Sequence, residues 1–147
     1  MRCVIQRVSS ARVDVEHQTV GSIGRGLLVL AGIAATDTEK DLAWSAAKIA
    51  TLRIFEDEQG RMNLAAADIG GAILAVPNFT VAGDAQKGRR PSFDTAMPPD
   101  RAEPMFAHFV ELLRAQGVPV ETGRFRAHME VHLINDGPVT IVIESPR

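Results

Sequence analysis

The chain has 147 residues, a formal net charge of −2, 46% hydrophobic and 23% charged residues, one Cys, one Trp and no Tyr. That length fits one domain over residues 1–147, able to bury roughly 68% of its unfolded surface without a disulfide or metal staple. The charge excludes a broad basic coat for nucleic acid, and the lone Cys3 fits a reducing, cytoplasmic setting.

Val4, Val8, Val13 and Val15 alternate with polar residues, the period-2 signature of a half-buried strand. Arg2, Gln6 and Arg7 interrupt this N-terminus, which therefore lacks the core of a signal peptide. His17-Gln18-Thr19 reads as a turn, and GLLVLAGI from Gly26 is a second apolar strand. The run from Gly26 to Ala35 is far short of the ~18 residues a membrane helix takes. Gly21, Gly24, Gly26 and Gly32 lead into a strand rather than a helix, so they mark turns and strand ends, not a phosphate fingerprint.

Thr36 and Glu39 have capping-box spacing and predict a helix from about Asp37 to Leu52, with Leu42, Ala46, Ile49 and Ala50 on one face. Glu56 to Gly60 and Ile69 to Gly71 are turns, and MNLAAADI between them is ambiguous. AILAVPNFTV reads as a strand interrupted by Pro77, which cannot donate to a ladder. After the polar stretch from Ala82 to Pro99, Asp100 can cap a second helix. Its apolar positions are Met105, Phe106, Phe109, Leu112 and Leu113, and Gly117 stops it. Met129 to Leu133 alternates again, and Asn135-Asp136-Gly137-Pro138 reads as a hairpin turn before the last strand, VTIVIES. Two helices among about seven or eight strands predict a mixed α/β fold.

Familiar side-chain catalysis is poorly represented. Cys3 sits on a strand with no visible base and reads as a buried small hydrophobe. No serine has nucleophile-elbow context, and no carboxylate pair stands out. On a strand, His128, Glu130 and His132 share one face, opposite Met129, Val131 and Leu133. Three ligands there could bind zinc, though a solvated strand face is the commoner arrangement. Lys87, Arg89 and Arg90 form the one concentrated cationic run, and Arg124 with Arg126 a second basic pair; either could grip RNA phosphate. Two segments offer backbone instead. Gly137-Pro138 can present carbonyl oxygens rigidly, by a cis or trans bond. Pro77-Asn78-Phe79-Thr80 can present successive N–H groups as an oxyanion hole.

These motifs, with MRCVIQRVSSARV, RIFEDEQGRMNL, NFTVAGDAQKGRRPSFDTAMPP, TGRF and VHLINDGPVTIVIES, resemble the D-aminoacyl-tRNA deacylases along essentially the whole chain. The resemblance implies a compact, barrel-like α+β unit with two main helices, forming a homodimer with active sites at the interface. It implies hydrolysis of the ester joining a D-amino acid, or glycine, to the 3′ end of tRNA, with no cofactor and no metal. Gly137-Pro138 falls on the family's Gly-cisPro motif, whose carbonyls hold the substrate amino group and leave no room for an L side chain. The family's Ser-Gln-Phe-Thr corresponds to Pro77-Asn78-Phe79-Thr80: Phe79 and Thr80 match, while Pro77 and Asn78 depart. Met129 is expected to line the adenosine pocket and Lys87, Arg89 and Arg90 to contact tRNA. On this reading water attacks the ester, backbone N–H groups at Phe79 and Thr80 hold the oxyanion, and the terminal ribose 2′-OH assists. Thr80 as a covalent nucleophile is the rival. Because a sister group acting on L-alanyl-tRNA carries Pro where this chain has Pro77, relaxed chirality is one alternative. A catalytically disabled tRNA-binding relative is another, and a metallohydrolase using His128, Glu130 and His132 a third.

Overall fold

A computed structural model describes residues 1–147. Strands β1 (Arg2–Val15), β2 (Gln18–Ile23) and β3 (Gly26–Gly32) precede helix α1 (Glu39–Thr51) and a small hairpin of β4 (Phe55–Glu56) and β5 (Met62–Leu64). Then come β6 (Ala72–Pro77), helix α2 (Pro99–Ala115), β7 (Val120–Thr122) and β8 (Glu130–Glu144). Short 3-10 helices at Ala67–Ile69 and Phe79–Ala82 flank β6.

The main sheet runs β2-β1-β3-β6-β7, and β8 also pairs with β1. One edge of β1 is shared: Arg2–Val8 pair with β3 and Ala11–Val15 with β2. The other edge takes β8 along nearly its full length. The β3–β6 and β6–β7 pairs are parallel, so the connections containing α1 and α2 cross over the sheet. Strands buried on both faces read as continuous apolar runs, as Leu27-Leu28-Val29 and Ile73-Leu74-Ala75 do. Even and odd positions of these strands feed two separate cores. The larger gathers Cys3, Ile5, Leu27, Val29, Ile73 and Ala75 under Leu42, Ile49, Phe106 and Phe109 of the helices. The smaller joins Val8, Ala11, Val13, Leu28, Leu74 and Val76 on the opposite face. β1 serves both because its pairing with β8 shifts around Val8, which swaps the face that its later residues present. Gly21 lets the sheet curl nearly closed, since a Cβ there would collide with the Thr122 carbonyl of β7. The fold is thus a mixed α+β, barrel-like unit with two helices. No helix is long and apolar enough to cross a membrane.

Local details depart from the sequence reading for traceable reasons. α1 starts two residues later than expected, and its capping pair is Thr38 with Asp41, not Thr36 with Glu39. Asp41 accepts the Thr38 amide at 2.8 Å and its hydroxyl at 3.0 Å. Asp37 is drawn away from the helix by the buried ammonium of Met1, at 2.5 Å, and by the Ala34 amide, at 2.6 Å. The same ammonium donates to the Ser145 hydroxyl at 2.7 Å, and that hydroxyl donates to Asp41 at 2.7 Å, joining the two ends of the chain. α2 begins at Pro99 with Pro98 as its N-cap, so Asp100 lies in the first turn instead of capping it. Gly117 stops the helix at φ +86°, the conformation a Cβ opposes. The expected hairpin at Asn135–Pro138 is absent: β8 runs through it, and the segment is a bulge in one long strand.

Candidate active site

Parallel strands leave a crevice beyond their carboxyl ends, and a large cavity lies there, at the ends of β3 and β6. It encloses about 840 Å³, within the span of roughly 300–1,000 Å³ usual for small-molecule sites. One wall is Pro77-Asn78-Phe79-Thr80; the others come from Met97–Pro99 and Phe106 at the start of α2 and from Phe125 to Met129 before β8. No Asp or Glu lines it.

The first wall is rigid. Pro77 ends β6 in register with Ala31, where its missing N–H costs the ladder little. The Asn78 amide donates to the Ala31 carbonyl at 2.9 Å, and its side-chain oxygen accepts the Thr80 hydroxyl at 2.5 Å. Phe79 and Thr80 open the 3-10 helix, so their own amides have no backbone partner. Gly32 permits this approach, because a Cβ there would sit 2.9 Å from the Ala82 nitrogen. Phe79 is 59% exposed and meets Phe93 edge-on at 5.3 Å. Met129 lines the cavity while also packing on the smaller core. Gly123 leaves room for its sulfur, which would be 2.7 Å from a Cβ.

Gly137 and Pro138 lie on β8 and do not line this cavity. Their peptide bond is cis, and the β1–β8 register skips residues 136–139. Both residues are exposed, on a loop braced from beneath. Asn135 accepts the Val139 amide at 2.8 Å and donates to the Thr140 hydroxyl at 3.1 Å. Buried Arg7 donates to the Asp136 carbonyl at 2.9 Å and to the Ile54 carbonyl at 2.8 Å.

Lys87, Arg89 and Arg90 project from an exposed loop whose neck is the reciprocal Asp84–Ser92 amide pair, 2.8 Å each way. They lie outside the cavity lining and have no ion-pair partner. The shared face expected of His128, Glu130 and His132 is divided. His128 precedes β8 and lines the cavity, whereas His132 turns to Asp14 at 3.4 Å and Glu130 at 3.6 Å. No three His, Cys, Asp or Glu side chains converge in a metal-binding arrangement. Cys3 is fully buried, and burial pushes its thiol up to about 12, the Met1 ammonium lowering it and Asp37 raising it.

Sequence reasoning missed the roles of Arg7 and Phe93, and that Phe125 to His128 form one cavity wall. Arg7 did leave a signal, since it is a charged residue in the inward parity of Cys3 and Ile5. Phe93 was a lone aromatic in a polar loop. Gly83 accepts that ring, which would lie 2.7 Å from a Cβ. Arg126 and His128 were singled out singly, as a basic residue and a candidate ligand, but their place on one cavity wall depends on how β7 and β8 are joined.

A family model described as D-Tyr-tRNA(Tyr) deacylase matches residues 4–144. A D-aminoacyl-tRNA deacylase of Thermotoga petrophila is 57% identical over 147 residues, covering 100% of this chain and 99% of its own. That of Geobacter sulfurreducens is 57% identical over 145 residues, covering 99% and 95%. A solved structure described as a c-Myc DNA unwinding element binding protein superposes with TM-score 0.94 at 42% identity, covering 100% of both chains. Another, described as a probable eukaryotic D-amino acid tRNA deacylase, shares the fold with TM-score 0.84 at 19% identity over 97% and 98%. With a family match across nearly its whole length and relatives this similar, the chain belongs to the D-Tyr-tRNA(Tyr) deacylase family and is a hydrolase.

Proposed function

We propose that the chain hydrolyses the ester joining a D-amino acid, or glycine, to the 3′-terminal adenosine of tRNA. The observation that carries the chemistry is the pair of unpartnered amides at Phe79 and Thr80 in a cavity without a carboxylate. Water attacks the ester carbonyl, and the two amides hold the oxyanion that forms. The carbon–oxygen bond to the ribose then breaks, the 3′ oxygen takes up a proton, and free amino acid and tRNA leave. The ribose 2′-OH assists, while the lining's own hydroxyl, that of Thr80, is engaged with Asn78. Thr80 as nucleophile is disfavoured because its hydroxyl donates to Asn78, whose amide oxygen accepts a hydrogen bond but is not a base.

Gly137 and Pro138 act in the active site of a second copy, where their carbonyls take the substrate ammonium and leave no space for an L side chain. Their exposure, the brace from Arg7 and Asn135, and their distance in sequence from the cavity wall support that assignment. Ile134 and Val142, 61% and 59% exposed on the same strand, supply apolar surface for the homodimer it requires. Met129 packs against the adenosine, and Lys87, Arg89 and Arg90 contact the tRNA beyond it, in the cytoplasm where that substrate is found. Deacylation assays with D-tyrosyl-, L-tyrosyl-, glycyl- and L-alanyl-tRNA test the reading. Release of D-tyrosine and glycine with L-tyrosine retained is expected. Release of L-alanine would give the chain relaxed chirality through Pro77, and binding without release from any substrate would make it a non-catalytic relative.

A further inference from the structure

The basic pair Arg124 and Arg126 has no part in the function proposed above. Both lie in the turn between β7 and β8, where side chains alternate. Phe125, Ala127 and Met129 are partly buried, whereas Arg124, Arg126 and His128 are exposed. The inward residues anchor the turn on either side of Arg126. The Phe125 ring lies 6.5 Å from that of Phe106 on α2, and the Met129 sulfur accepts the Arg124 amide at 3.4 Å. Arg126 and His128 line the cavity together with Phe79 and Phe93, and neither has a carboxylate partner. Arg126 is therefore the one guanidinium on a cavity wall free of acidic residues, and the loop cations at Lys87, Arg89 and Arg90 do not reach that wall. It also holds φ at +61°, a left-handed conformation that glycine would adopt at lower cost. A cation is thus placed at the cavity against the local backbone preference.

We infer that Arg126, with His128 beside it, binds the phosphodiester joining the last nucleotide of the substrate to the one before it. The assignment rests on the proposed aminoacyl-RNA substrate. A guanidinium presents parallel N–H donors matched to two phosphate oxygens, and no neighbouring carboxylate competes for them. Anchored through Phe125 and Met129, this contact sets how deeply the aminoacyl nucleoside enters. Arg126 is a positioning residue: it touches a phosphate outside the reacting ester.

Two minimal substrates isolate the effect, D-tyrosyl adenosine and D-tyrosyl cytidylyl-(3′→5′)-adenosine, which differ by the added cytidine and its phosphodiester. The wild-type protein is expected to prefer the dinucleotide ester in kcat/KM. Arg126→Gly relaxes the backbone while removing the cation, so it tests the contact without threatening the fold. It should lower that preference by about tenfold or more, through KM, as loss of charged hydrogen bonds requires. Arg126→Lys should restore part of it. A preference unchanged by Arg126→Gly, or an equal loss on both esters, overturns the inference while leaving the proposed hydrolysis intact. A wild-type protein that cleaves neither these esters nor D-tyrosyl-tRNA refutes the hydrolytic reading and this assignment with it.

Discussion

Arg7 carries the clearest quantitative prediction, because it is a buried cation whose partners are both backbone carbonyls. Its side chain is 8% exposed, and its two hydrogen bonds join the Asp136 carbonyl beside the cis peptide to the Ile54 carbonyl before β4. The Asp136 carboxylate, half exposed at 3.6 Å, adds little in water. Arg7→Met keeps the apolar stem and removes the fork. Hydrogen bonds to charged groups contribute about 1.5–3 kcal/mol each, so two amount to roughly 3–6 kcal/mol. Relief of the buried cation's desolvation returns part of that, leaving a net loss of about 2–4 kcal/mol. Urea unfolding should show the midpoint falling by about 1–2 M with little change in slope. The loop that loses its brace is the one proposed to exclude L side chains, so the D/L ratio of tyrosyl-tRNA deacylation should fall by about tenfold, one misplaced contact being worth about 1.4 kcal/mol. Arg7→Lys keeps the charge but presents one point donor where a fork spans two carbonyls, and it should fall between the two. A stability loss below about 1 kcal/mol with an unchanged D/L ratio would refute the brace, since the buried Ile54 carbonyl cannot lose its charged donor at that cost.

Other outcomes follow from the same geometry. Thr80→Ala should retain hydrolysis within about tenfold, as the amide does the work, whereas a 2′-deoxy terminal adenosine should lose far more; the reverse order would make Thr80 the nucleophile. Cys3 should stay unlabelled by an aromatic disulfide reagent at pH 8 and react as one thiol in urea, because burial holds the thiol protonated up to about 12; prompt labelling of the native protein would contradict that. Asp41 is raised by burial but brought down to about 2 by hydrogen bonds from Ser145 and Thr38 and by the Met1 ammonium. With the folded value below the unfolded one, this stabilisation is present above about pH 4 and is lost as pH falls towards 2. The deficit of Ser145→Ala in urea unfolding should therefore be larger at pH 5 than at pH 2.5, and an equal deficit would remove Asp41 from the explanation. Replacing Lys87, Arg89 and Arg90 by Ala should flatten the salt dependence of KM for tRNA by about two units of log–log slope, at about 0.7 per phosphate contact; an unchanged slope would remove the loop from the interface.

Strand alternation, the two apolar helix faces and the turn glycines were legible because each is local. β1, α1, α2 and both flanks of β8 lie close to where their periodicity puts them. The misreadings share a long-range cause. Thr36 has the spacing of a cap, but Asp37 beside it is claimed by an ammonium thirty-six residues away, and the helix starts at the next threonine that is free. Asn135-Asp136-Gly137-Pro138 has turn composition, yet both flanks pair with the same strand, β1, in one direction, so the chain bulges without reversing. The motifs at Pro77–Thr80 and Gly137–Pro138 were visible as segments. Composition and spacing alone did not set them apart, and only the resemblance implied their separation: one lines the cavity of its own chain, and the other is exposed outside that lining.

That separation explains why the departures at Pro77 and Asn78 are compatible with the proposed chemistry. The wall is defined by backbone: the Asn78 amide is fixed to Ala31, Pro77 needs no partner at the strand end, and the next two amides remain free. Neither the Pro77 nor the Asn78 side chain is needed to leave those donors free. Asn78 accepts the Thr80 hydroxyl, which ties the turn together from within. On the proposed reading, amides from one copy and carbonyls from another form the site, and such a site tolerates side-chain variation that an acid–base dyad would not. Its sensitivity shifts to the residues that hold backbone in place, Arg7, Asn135 and Gly32. Substitutions there should cost more activity than substitutions at Pro77, although none of the three lines the cavity.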